Sequence, residues 1–132
     1  MSDVRLARAL LILRVGLALF LFLWALDKIV VPDATVGVFD YFYKLSIGVT
    51  AARVIGGLEA LLALAILFGA WKTWSYGLGL VLHAISTLAS WEQLLSPFGD
   101  NHLFIAALPV LAAFVALFML RERDTLWTVP GR

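Results

Sequence analysis

Four ionisable side chains sit inside long apolar stretches: Arg14, Arg53, Glu59 and His83. Such residues are expensive in an apolar environment and normally face the interior of a helix bundle, paired or at work. A buried carboxylate beside a histidine could pass protons or hydrogen-bond the polar head of a quinone. Arg14 or Arg53 would serve there as polarising cations. The alternative is structural, with each group held in a pair that fixes helix packing.

Spacing gives these residues faces. Ser75, Gly79, His83, Thr87 and Ser90 recur every three or four positions, as do Arg14, Ala18, Leu21, Ala25 and Lys28. Gly56, Glu59, Ala60 and Ala63 share a third face. At helical periodicity each set forms one stripe. Its small residues let helices approach closely. The three stripes are expected to converge on a buried cluster of Arg14, Glu59 and His83. A second polar cluster, near the outer surface, is expected from Asp27, Lys28 and Arg53 with Asp100 or His102.

The elements that must carry these faces follow from composition. The 132 residues are 63% hydrophobic and 14% charged, with mean hydropathy +0.98. A soluble chain of this size could not bury so much apolar surface. Four stretches, 6–26, 50–70, 74–94 and 103–120, each have the length needed to cross a hydrocarbon core as a helix. They lack the alternation of barrel strands. The expected fold is all-α: a single-domain, integral membrane four-helix bundle over residues 1–132. The first span reads as a retained helix rather than a cleaved signal, because it is long and interrupted by Arg14. Pro109 is expected to kink the fourth helix.

Pro32 breaks the chain after the first span. Val36, Phe39, Phe42 and Tyr43 then recur at helical spacing, predicting a short amphipathic helix on the outer interface between helices one and two. Tyr41, Tyr43, Trp71, Trp74, Trp91 and Trp127 fall near span ends, where they would anchor in the headgroup layer. Arg5, Arg8, Lys72, Arg121, Arg123 and Arg132 fall on one side, and Lys28 and Lys44 on the other. The positive-inside rule places both termini in the cytoplasm of a multi-pass inner-membrane protein.

Composition also narrows the chemistry. A net charge of +1 argues against a nucleic-acid partner. The absence of cysteine excludes thiol–disulfide exchange and thiolate metal sites within this chain. Glu59 and His83 are too few ligands for a metal centre. His83 and His102 differ in expected depth by about 13 Å, too far to face one another across a single haem. No phosphate loop, zinc-protease helix, nucleophile elbow or dinucleotide fingerprint is present.

Several of these residues form a recognisable pattern. "LRVGLALFLFLWALDKIV", "AARVIGGLEALLALAILFGAW" and "NHLF" resemble the DoxX-like family of small bacterial four-helix membrane proteins. The resemblance covers nearly the whole chain and rests on Arg14, Lys28, Arg53, Gly56, Gly57 and Glu59. It implies a subunit associated with terminal quinol oxidase, with thiosulfate:quinone oxidoreduction, or with oxidative-stress and thiol-redox complexes. The absence of cysteine argues against direct thiol chemistry here. The expected role is an accessory subunit with no catalysis of its own, packed among lipids against a larger partner, such as a respiratory complex, or against itself. The alternative is a quinone- or lipid-binding redox subunit built on Glu59, His83, Arg14 and Arg53. A small oligomeric transporter is a third reading, and it would need a continuous water-lined path.

Overall fold

The computed structural model describes residues 2–130, and these contain helices and no strand. Helix α1 spans Asp3–Val30. Ser2 caps it, its side chain accepting from the Arg5 amide at 3.2 Å. Asp3 in the first turn and Lys28 in the last suit the helix dipole. Pro32 stops α1 by opening α2 (Pro32–Tyr43), where its missing N–H and fixed φ are tolerated at the first helical position. Val36, Phe39, Phe42 and Tyr43 are all half-buried on α2. The helix packs on both α1 and α3.

Helix α3 (Val49–Leu67) turns into α4 (Lys72–Ala89) through Phe68–Trp71. Gly69 adopts φ +61° in this turn, and an added Cβ would meet Thr128 at 2.5 Å. Glycine answers both demands. A break at Ser90 separates α4 from the short α5 (Trp91–Leu95). A 3-10 segment, Gly99–Ala106, then leads directly into α6 (Ala107–Met119). Pro109 falls in the first turn of α6, a position that lacks an intrahelical amide bond in any case. The change from 3-10 to α geometry at Ala107 lies two residues before Pro109.

Helices α1 and α4 each lie against α3 and α6. Leu10, Leu17 and Leu21 of α1, Ala63 and Ile66 of α3, Tyr76 of α4, and Phe114 and Leu117 of α6 share the core. The close approach of α1 and α3 depends on Gly56, where an added Cβ would lie 2.8 Å from the Ala25 carbonyl oxygen and 2.9 Å from Lys28 Cβ.

Three helical stretches are long and apolar enough to cross a membrane: Asp3–Val30, Val49–Leu67 and Gly99–Met119. They cover the first, second and fourth expected spans. The third, 74–94, divides into α4 and α5, and α4 falls outside this group, its hydropathy lowered by Lys72, Thr73, Ser75, His83, Ser86 and Thr87. Arg132, counted among the inner cations, lies outside the described residues.

Candidate functional site

The three stripes do point inward. Arg14, Ala18, Leu21 and Ala25 are buried on α1, Gly56 and Ala63 on α3, and Ser75, Gly79, His83 and Thr87 on α4. Their ionisable members do not meet. Arg14, Glu59 and His83 take partners near Arg14, Lys28 and Phe20 of α1 respectively. At helical rise these positions stand about 9 and 12 Å apart along the axis. The expected Arg14–Glu59–His83 cluster is therefore absent. Inward direction was correctly read from periodicity, but common depth does not follow from it.

Arg14 has the densest surroundings. It is fully buried, and its guanidinium forms an ion pair with the equally buried Asp124. Nε donates to the Leu67 carbonyl at 3.1 Å, and Nη2 donates to the carbonyls of Leu126 at 2.6 Å and Trp127 at 3.3 Å. The second Asp124 oxygen accepts from the Tyr76 hydroxyl at 2.6 Å. Lys72 Nζ donates to the Asp124 carbonyl. The segment after α6 thus folds back through a 3-10 turn, Arg121–Arg123, and closes one end of the helices. The Val129 amide donates to the Phe68 carbonyl at 2.8 Å, completing this strap.

Asp124 and Tyr76 were missed at the sequence level. A carboxylate among tail arginines reads as solvated. The available signal was Arg14 itself, since a buried guanidinium requires an anion at its own depth.

Glu59 pairs with Lys28 across the α1–α3 contact at 2.8 Å. The pair is largely covered, with side-chain exposures of 16% for Lys28 and 12% for Glu59. The Lys28 ammonium also lies 5.5 Å from the centre of the Trp24 ring. Six residues earlier on α3, the exposed Arg53 donates from Nε to the Ile29 carbonyl at 3.4 Å. The expected outer cluster is corrected accordingly. Lys28 turns inward to Glu59, and His102 Nδ1 donates to the Pro97 carbonyl at 3.1 Å. Neither the Asp27 nor the Asp100 carboxylate forms a hydrogen bond or ion pair among the described residues.

His83 is buried between the rings of Phe20 and Phe114, at 5.6 and 5.7 Å between centroids. Its Nε2 lies 2.9 Å from the Ala107 carbonyl oxygen. A carbonyl only accepts, so Nε2 carries the hydrogen. His83 thereby ties α4 to the start of α6.

An apolar groove of about 230 Å³ runs between α1 and α3, lined by Val15, Ala18, Leu19, Phe22, Ala63, Leu64 and Leu67. None of these side chains can orient a polar head, which a selective small-molecule site requires. Of the residues expected to hold a quinone, Arg14 is engaged by Asp124, Glu59 by Lys28, and His83 and Arg53 by backbone carbonyls. Among the described residues, no three His, Asp or Glu side chains are grouped to hold a metal ion. Comparison with protein-family models, curated proteins and solved structures finds no match to this chain.

Proposed function

We propose that this chain is a small integral protein of the bacterial inner membrane, resembling the DoxX-like family. In this reading it is a four-helix bundle with both termini cytoplasmic. It acts as an accessory subunit, packed against a larger membrane partner or against further copies of itself. The observation that carries this reading is the division of polarity. Arg14, Glu59 and His83 are engaged inside the chain, whereas Ile12, Leu58, Leu61, Leu88 and Met119 stand exposed on the outer faces of the helices. Exposed apolar surface of this extent suits lipid or a partner helix. Engaged internal charges suit packing more than turnover. Gentle extraction and copurification test it: a partner subunit or homo-oligomer supports the reading, and a monodisperse monomer without any partner opposes it.

A second reading, a quinone- or lipid-binding redox subunit, draws on the Lys28–Glu59 pair. This pair keeps some exposure at an otherwise apolar surface, beside Trp24. Glu59→Gln should then impair quinone-dependent electron transfer while leaving the fold intact. Unchanged turnover would assign Glu59 to packing.

A further inference from the structure

The Arg14 pocket lies near the middle of α1, about 21 Å along the axis from Lys28 at helical rise, and a ligand for it follows from neither functional reading. Its walls are regular: Arg14 comes from α1, the Leu67 carbonyl from the end of α3, and Lys72 and Tyr76 from the first turns of α4. Its anion comes from an irregular segment. Along this segment Asp124 is buried, Leu126 and Thr128 are half-buried, and Thr125, Trp127 and Val129 are exposed. Trp127 also holds φ 53°, a left-handed conformation uncommon for a bulky side chain.

We propose that residues 124–129 form a displaceable strap, with the Asp124 carboxylate filling an anion pocket made by Arg14 and Tyr76, beside which Lys72 holds the Asp124 backbone carbonyl. Release of the strap opens that pocket to a carboxylate- or phosphate-bearing molecule. Simple opening strands a buried guanidinium and is strongly disfavoured. Exchange for another anion conserves the charge pairing, so opening is coupled to ligand. The same guanidinium fork and phenol that hold a carboxylate can hold a phosphate oxygen pair. The strap is thus an internal competitor, and occupancy follows the differential affinity of the two states.

These 132 residues contain no cysteine, so a single Thr128→Cys reports on the strap without background. Thr128 packs against Gly69 when the strap is closed. The variant is placed in phosphatidylcholine nanodiscs, and the rate of maleimide labelling is measured with chloride, with inorganic phosphate at matched ionic strength, and with phosphatidylglycerol added. The proposal expects roughly tenfold faster labelling with phosphate, with phosphatidylglycerol, or with both. A response to phosphate alone identifies a soluble anion, and one to phosphatidylglycerol alone identifies a lipid headgroup. Adding Asp124→Asn should give fast labelling that no longer responds to either. Labelling that stays flat across all anions overturns the pocket, whatever Asp124→Asn does. Because this arm uses the native Asp124, poor folding of the second variant does not obscure it.

Discussion

The Asp124 carboxylate pairs with the Arg14 guanidinium from 110 positions away in the chain, and both side chains are fully buried. This contact joins the segment after α6 to the middle of the longest helix. It explains how a cation can sit deep in α1 without any neighbour of opposite charge on α1 or α3 at that depth.

Removing either partner leaves the other charged and desolvated. Arg14→Leu and Asp124→Asn should each lower stability by about 3–5 kcal/mol. The double substitution Arg14→Leu/Asp124→Leu should recover most of that loss, because a buried pair replaced by apolar groups is often nearly neutral. Thermal unfolding in detergent checks both statements. Equal losses in the single and double variants would show that Arg14's carbonyl contacts, rather than its charge pair, hold the strap.

The two adjacent glycines of α3 should behave oppositely. A methyl at Gly56 would collide with α1, and overpacking of this kind costs about 1–3 kcal/mol. A methyl at Gly57 meets nothing within 4 Å and raises helix propensity. Gly56→Ala should therefore destabilise the protein while Gly57→Ala is neutral or slightly stabilising in the same assay.

The hydrogen on His83 is assigned by its partner. Nitrogen NMR of a sample labelled at histidine should show Nε2 protonated and hydrogen-bonded. His83→Phe should lose about 1 kcal/mol through the missing bond to Ala107. A neutral ring protonated only at Nδ1 would contradict the contact.

Glu59→Gln should weaken the α1–α3 contact by leaving Lys28 without its carboxylate. The loss should exceed that of a surface pair, about 0–1 kcal/mol, because both groups are largely covered. If the loss matches a surface pair and quinone-dependent turnover falls, the pair belongs to the redox reading instead.

Much of this architecture is legible in residue spacing. Helical character, the break at Pro32, the short helix carrying Phe39 and Phe42, and the inward faces of α1, α3 and α4 all follow from apolar periodicity. Depth is less legible. Periodicity says that Glu59 and His83 face inward, but a lysine's long stem lets Lys28 reach Glu59. His83 is satisfied by a backbone carbonyl, which no sequence pattern marks. The Asp124–Tyr76 half of the Arg14 site is the least legible part. It depends on an irregular segment returning to the helices, and such segments carry no period.

The most direct test of the accessory-subunit reading is native mass spectrometry of the chain taken from its membrane into nanodiscs, with lipid and quinone extraction from the same sample. The account predicts a copurifying protein subunit or a homo-oligomer, without stoichiometric quinone. A monomer that carries one quinone per chain and no protein partner would contradict it.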